Sequence, residues 1–400
     1  MNLPPLRLKK NEDRRLRAGH LWVFSNEVDT AKTPLNAFEA GQPVEIQDSK
    51  GEAIGNGYVN PHSLICARLV SRDVEHVLGK SLLVHRLNMA LSLRERLFGT
   101  DKPYYRLAFG DSDGLPGLVV DRFGDVLVAQ ITTAGMERCK ADVVTALEQV
   151  IKPTAILFRN DTSSRAMEGL ESYVETALGT VPEQVMLEEN GVRFNVPLLS
   201  GQKTGWFYDH RLNRARMQHY VQGKRVLDVF SYIGGWGIQA ATAGAAQVIC
   251  VDSSAAALSQ VQQNATLNNV AERVSIMEGD AFEVLKALRA DHEKFDVVIL
   301  DPPAFIKRSK DMRAGLEAYQ RINQQAMQVL AKDGIIISAS CSFHLPRAGL
   351  RDAMLRASRH IDRNLQILEQ GHQGPDHPVH PAISETDYLK MFIGRVVPSA

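Results

Sequence analysis

Phe295-Asp-Val-Val-Ile-Leu-Asp-Pro-Pro-Ala-Phe305 is a short apolar run, β-branched in its middle, that ends on an acid and two prolines. It reads as a buried strand delivering Asp301, Pro302 and Pro303 to a sheet edge. Ile335-Ile-Ile-Ser-Ala-Ser-Cys-Ser342 has the same character and brings Cys341 to that edge. Loops at the carboxyl ends of parallel strands hold the ligand in α/β proteins, so a carboxylate meeting a thiol there suggests chemistry on a base beside a bound cofactor.

The pattern extends outward from this pair. Arg225-Val-Leu-Asp-Val229, Gln247-Val-Ile-Cys-Val251 and Val274-Ser-Ile-Met277 precede it with helical segments between, which predicts an α/β domain with a parallel sheet covered by helices on both faces. Met186 to Val196 predicts a hairpin turning at Asn190-Gly191. Further upstream, the strands Tyr105–Phe109, Leu118–Arg122 and Val126–Ile131, a helix from Met136 to Val150 and the strand Ala155–Phe158 predict a small α+β domain. A helix from about Leu82 to Leu97 leads into it, after a first region of short segments broken by Gly41, Gly51, Gly55 and Gly57 that reads as a small β-barrel or sheet. The expected domains are therefore 1–78, 79–185 and 186–400.

A chain of 400 residues is long enough for two or three cores. Lys plus Arg and Asp plus Glu balance at 46 each, which excludes a uniformly cationic surface and makes any nucleic-acid site regional. Cys66, Cys139, Cys250 and Cys341 are too scattered for a zinc or disulfide framework, so no metal is expected. With no signal-peptide core and no run near ~18 apolar residues, the sequence points to a reduced, cytoplasmic protein without a membrane partner. It leaves the oligomeric state open, a homodimer included.

Val226-Leu-Asp-Val-Phe-Ser-Tyr-Ile-Gly-Gly-Trp-Gly237 orders a strand, a glycine-rich turn and a helix start. Gly234, Gly235 and Gly237 allow close backbone approach by a nucleotide-like ligand, but the dinucleotide pattern G-x-G-x-x-G is missing and Asp228 would repel a pyrophosphate. A cationic cofactor without phosphates, S-adenosylmethionine, resolves that conflict by Coulomb attraction. Phe230 and Ser231 belong to the same turn, Asp252 ends the next strand where an acid binds ribose hydroxyls, and Asp280-Ala281 after the third strand suits the adenine. Taken singly, each acid is also an ordinary helix cap.

Cys341 stands between Ser340 and Ser342 just past a strand end, whereas the other three cysteines sit in apolar runs and read as core. Methyl transfer to C5 of a pyrimidine needs a thiolate, because C5 becomes nucleophilic only after addition at C6. Asp301 is placed to hydrogen-bond the base, with Pro302 and Pro303 as a flat wall and Phe305 for stacking. Glu385 is the first choice for the base that removes the C5 proton, ahead of Asp376, His377 and Asp387. Lys203 and Thr204, in Lys203-Thr-Gly-Trp-Phe-Tyr-Asp-His-Arg211, are expected to line the base pocket. Two other readings stay open: methylation of a guanine or adenine nitrogen, which needs no thiol, and a non-catalytic assembly factor.

Arg7, Lys9, Lys10, Arg14, Arg15 and Arg17, followed by Trp22 and Phe24, are what an RNA-binding surface uses. The order of Trp22-Val-Phe24, Ser112-Asp-Gly-Leu-Pro-Gly117, Lys203-Thr-Gly205, Phe230-Ser-Tyr-Ile-Gly-Gly235, Asp301-Pro-Pro303, Ser340-Cys-Ser342 and Tyr388-Leu-Lys390 resembles the ribosomal RNA large subunit methyltransferase I family, over almost the whole chain. Ser342-Phe-His-Leu-Pro346 departs from the pattern at His344. The resemblance implies an N-terminal PUA domain, a small central α+β domain and a Rossmann-like catalytic domain that methylates C5 of a cytosine in large-subunit (23S) rRNA, with no DNA partner. It further implies cofactor contacts around Asp228, Asp252, Asp280 and Asp301 and a nucleophile at Cys341.

Overall fold

A computed structural model describes residues 3–399. The chain forms two compact units: one comprises the residues up to Val185 with Pro197–Tyr208 and Pro375–Thr386, the other Met186–Val196, Asp209–Gly374 and the residues from Asp387 onward.

The first unit holds two sheets. The N-terminal one is built from β1 (Pro5–Arg7), β2 (Trp22–Phe24), β3 (Gln42–Gln47), β4 (Ala53–Val59) and β5 (Ile65–Ser71), in the order β1-β3-β4-β5-β2, with the short helix α1 (Arg14–Arg17) beside it in sequence. Leu6, Val23, Val44, Ile46, Val59 and Leu69 fill its core. The second sheet, ordered β10-β9-β8-β7-β6, uses β6 (Tyr104–Phe109), β7 (Leu118–Phe123), β8 (Val126–Ile131), β9 (Ala155–Asn160) and β10 (Tyr173–Gly179). Leu83 and Leu87 of α2 (Lys80–Phe98) and Val143 and Leu147 of α4 (Lys140–Ile151) pack into its core; α3 (Ala134–Arg138) and α5 (Ser164–Met167) are short connectors.

Buried polar contacts tie these two sheets together. The Trp22 indole N–H donates to Asp111 at 3.1 Å, the Tyr58 hydroxyl to Thr133 at 2.9 Å and the Asn60 amide to Glu168 at 2.8 Å. Trp22 is buried, with the Arg68 guanidinium over its ring, so it serves this internal joint and is not the exposed stacking ring expected from the sequence. Part of the basic run is likewise committed internally, since Arg15 pairs with Glu27 and Arg17 with Asp13 and Asp48.

In the second unit, a hairpin of β11 (Gln184–Glu189) and β12 (Val192–Pro197) turns at Asn190, whose φ is +54°, and Gly191. It is followed by α6 (Arg211–Met217) and a seven-stranded sheet. Five parallel strands, β13 (Arg225–Val229), β14 (Gln247–Asp252), β15 (Val274–Glu278), β16 (Phe295–Leu300) and β17 (Leu330–Ser340), match the sequence expectation. Two further strands were not anticipated: β18 (Arg363–Gly371) and β19 (Lys390–Pro398), of which β19 runs antiparallel between β17 and β18. Leu365 and Ile367 of β18 pack on the core while the neighbouring Leu368 is exposed, so the strand's apolar alternation is blurred in sequence.

The order is β15-β14-β13-β16-β17-β19-β18. Helices α7 (Gly237–Thr242), α8 (Ala255–Leu267), α9 (Ala281–Ala290), α10 (Met312–Val329) and α11 (Arg347–Arg359) connect and cover the strands. In β16 every residue but Asp296 is buried, as expected of a central parallel strand covered on both faces. On α10 the stripe Gly315, Tyr319, Ile322, Asn323, Ala326 faces that core at helical spacing.

Candidate active site

The strand order changes direction between β13 and β16, the place where open α/β sheets bind ligands. Val229 stands opposite Leu300, so Phe230 and Asp301 leave the sheet side by side.

The turn after β13 is held by backbone geometry that side chains rarely adopt. Phe230, Tyr232 and Gly234 have φ of +66°, +50° and +86°, and such conformations in non-glycine residues are retained where the surroundings enforce them. The enforcing bonds are visible: Asp228 Oδ2 accepts the Gly237 N–H at 2.8 Å, Asp252 Oδ2 accepts the Tyr232 N–H at 2.9 Å, and Ser231 N–H reaches the Val251 carbonyl. Gly237 leaves no room for a side chain without a shift of its neighbours, because a Cβ there would lie 2.4 Å from Cys250 Sγ and 3.0 Å from Asp228 Oδ2.

Asp228 is fully buried, and burial together with the nearby Asp301 and Asp252 charges pushes its carboxyl up to about 7. Its Oδ1 and the Ser231 Oγ are buried without a hydrogen-bond partner, so the turn presents polar atoms that call for a ligand. A crowded acidic cluster with orphaned acceptors fits a cationic, hydroxyl-bearing cofactor and opposes a pyrophosphate.

Asp301 is gripped at both oxygens, Oδ1 by His210 Nε2 at 3.2 Å and Oδ2 by the Trp236 indole N–H at 3.0 Å. Burial raises the Asp301 carboxyl, but the His210 charge and hydrogen bond outweigh it and hold it below the usual range. Burial lowers the His210 ring in turn, and Asp301 more than compensates, so the imidazole is shifted upward.

Cys341 is partly exposed, and the residues beside it are clamped. The Ser340 hydroxyl donates to the Tyr319 hydroxyl at 2.7 Å, Tyr319 and Ser342 hydroxyls pair at 2.9 Å, and Ser342 Oγ accepts the Ile306 N–H at 3.3 Å. The last bond fastens the cysteine segment to the loop that begins at Asp301. The other thiols are unsuited to ionise: burial drives Cys66 to about 12, Cys250 well above the usual thiol range, and Cys139 upward.

The remaining expected residues fall in different surroundings. Pro302 is buried and Pro303 exposed, while Phe305 packs against Tyr319 at 4.8 Å and Phe282 at 6.2 Å. Gly235 is buried in the turn. Asp280 caps α9, its Oδ1 accepting the Phe282 and Glu283 N–H groups, and Ala281 belongs to the core. Lys203, Thr204 and Glu385 belong to the first unit: Lys203 is exposed with its ammonium over Phe207 at 4.9 Å, Thr204 is buried, and Glu385 is exposed and accepts the Ser384 hydroxyl. His210, Trp236 and Tyr319 were assigned no role from the sequence. His210 lies in the segment Lys203–Arg211 and Trp236 in Val226–Gly237, whereas Tyr319 gives no local signal on its helix.

Residues 6–72 match a PUA-like domain, and residues 165–390 match the S-adenosylmethionine-dependent methyltransferase family. Fold and turn thus define an S-adenosylmethionine-dependent methyltransferase carrying a PUA-like domain, with S-adenosylmethionine as its cofactor. Proteins named ribosomal RNA large subunit methyltransferase I from Aliivibrio fischeri (strain MJ11) and Erwinia tasmaniensis are 37% and 36% identical over 393 residues, covering 98% of each chain. The chain belongs to the ribosomal RNA large subunit methyltransferase I family. Its fold is also that of a solved structure from Streptococcus mutans described as a SAM-dependent methyltransferase, with TM-score 0.82 and 21% identity over 98% of this chain and 100% of that one. Among the described residues, no helix is long and apolar enough to cross a membrane.

Proposed function

We propose that this chain methylates C5 of a cytosine in large-subunit rRNA, with the Cys341 thiolate as nucleophile. The observation that carries the reading is the fastening of the serine-flanked Cys341 to the Asp301 loop through Ser342 and Ile306. Transfer to a ring or exocyclic nitrogen has no use for a thiol so placed. The names of the relatives, which specify large-subunit ribosomal RNA, support the substrate class.

When bound, the cofactor supplies an electrophilic methyl group on a sulfonium. Asp228, Ser231, Gly234 and Gly235 would receive its amino-acid end, Phe230 would flank it, Asp252 would take the ribose hydroxyls, and Asp280 and Ala281 the adenine. Cys341 adds its sulfur electron pair to C6 of the cytosine, and the C5–C6 pair becomes available at C5. Asp301, oriented by His210 and Trp236 and held as a carboxylate, accepts a hydrogen bond from the cytosine amino group and fixes the ring for that addition, while Pro302, Pro303 and Phe305 wall the base pocket. After C5 has taken the methyl group, a base removes its proton, the C–H pair restores the double bond and the thiolate leaves C6. Lys203 and Thr204 stay proposed as RNA contacts.

RNA carrying 5-fluorocytosine at the target should trap the adduct, because fluorine cannot leave C5 as a proton does. Cys341→Ser should abolish both the trapped band and methylation, while Cys139→Ser and Cys250→Ser retain them. Near wild-type methylation by Cys341→Ser would move the reading to nitrogen methylation. Glu385→Gln tests the base expected from the sequence: a stalled adduct on unmodified RNA is the supporting result.

A further inference from the structure

Lys390 is 5% exposed, on the strand next to Cys341, and a buried ammonium is expensive unless something nearby uses its charge. It stands directly opposite Ser340 in the β17–β19 pairing. Its Nζ donates to the carbonyl of Ser342 at 2.6 Å and to that of Tyr388 at 2.8 Å, which uses two of its three donors and points the head group at the segment carrying the thiol.

We infer that Lys390 is the positioning residue of Cys341, whose fixed ammonium both anchors the cysteine segment and holds the sulfur as a thiolate. The inference rests on the proposed role of Cys341 as nucleophile. The ionisable groups around Lys390 and the thiol support it, Tyr319 of α10 among them, whose hydroxyl is shifted upward by burial and so stays neutral beside Cys341. Burial lowers its ammonium to about 8, Asp387 and Cys341 act in the opposite sense, and Arg347 adds to the lowering. Asp387 is exposed, so the thiol is the more shielded of its two acidic neighbours. Attraction is mutual, and an ammonium that is favoured by a thiolate favours that thiolate equally. The thiol proton passes to solvent at the partly exposed sulfur, which keeps the electron pair.

A neutral donor separates charge from packing. Gln can still hydrogen-bond the two carbonyls, and Arg retains the charge. The experiment follows iodoacetamide alkylation of Cys341 against pH in the full-length protein without RNA, with the modified peptide read by mass spectrometry. In the wild type the midpoint should lie below the ordinary thiol value of about 8.5. In Lys390→Gln it should rise by about one unit, slowing alkylation near neutral pH by roughly tenfold, whereas Lys390→Arg should stay close to wild type. A wild-type midpoint at or above the ordinary value overturns the inference without any variant, should Lys390→Gln fail to fold. An unchanged midpoint in folded Lys390→Gln overturns it as well. Because no RNA is present, these results are independent of whether Cys341→Ser abolishes methylation.

Discussion

His210 Nε2 lies 3.2 Å from Asp301 Oδ1, and this ion pair sits on the carboxylate that the Asp-Pro-Pro loop brings to the sheet edge. The His210 ring is shifted above 6.5, so its contribution to stability is full below that value and is lost as pH rises through the shifted one. Asp301 is shifted below 3.8, so its contribution is present above that value and is lost as pH falls through the lowered one. Replacing His210 by Gln should cost roughly 1.5–3 kcal/mol in urea unfolding at about pH 5 to 6, with the difference from wild type shrinking at high pH. A pH-independent difference would show that the pair is not ionic.

Asp228 predicts proton-linked cofactor binding. Its carboxyl, raised from 3.8 to about 7, favours the folded state at low pH, and that advantage is lost as pH rises from 3.8 through about 7. A cationic ligand reverses the bias by stabilising the carboxylate. Titration calorimetry in buffers of different ionisation enthalpy should therefore show proton release on S-adenosylmethionine binding at about pH 6 in the wild type, and less in Asp228→Asn.

Asp252→Ala should weaken S-adenosylmethionine by about 1–3 kcal/mol, because it removes the expected ribose partner and the acceptor that holds the Tyr232 N–H. An unchanged dissociation constant would remove Asp252 from the pocket.

Gly237→Ala should destabilise the second unit by about 1–3 kcal/mol, since the new methyl collides with the Cys250 sulfur. Cys250→Ala vacates that space, so the double variant should be more stable than the sum of the single effects predicts. Additive losses would mean that the Asp228 side of the turn, not the sulfur, sets the limit.

For RNA capture, the joint inside the first unit changes which experiment is informative. Deleting residues 1–78 strips Asp111, Thr133 and Glu168 of buried partners and should lower the melting temperature. Lys10 and Arg14 are exposed, and Lys10→Glu with Arg14→Glu should weaken binding of rRNA fragments and flatten its salt dependence while leaving the fold intact. Equal affinity and salt slope would remove α1 and its approach from the RNA surface.

The catalytic fold was legible because β13, β16 and the second half of β17 are buried on both sides, and near-continuous apolar runs separated by helical segments admit few other arrangements. The acids at the strand ends were legible for the same reason: they interrupt those runs at the edge where ligands bind. Strand β18 was not, since its inward Leu365 and Ile367 are followed by the equally inward Glu369 and flanked by the outward Leu368, which blurs the apolar alternation. Trp22 illustrates the converse limit, for an aromatic among arginines looks like a stacking surface until Asp111, almost ninety residues away, takes its N–H. The grips on Asp301 by His210 and Trp236, and on the Cys341 segment by Tyr319 and Lys390, join residues far apart in the chain. Local spacing therefore determined which groups arrive at the sheet edge, while their orientation and ionisation were decided by tertiary structure, through the distances and burial that only the folded chain creates.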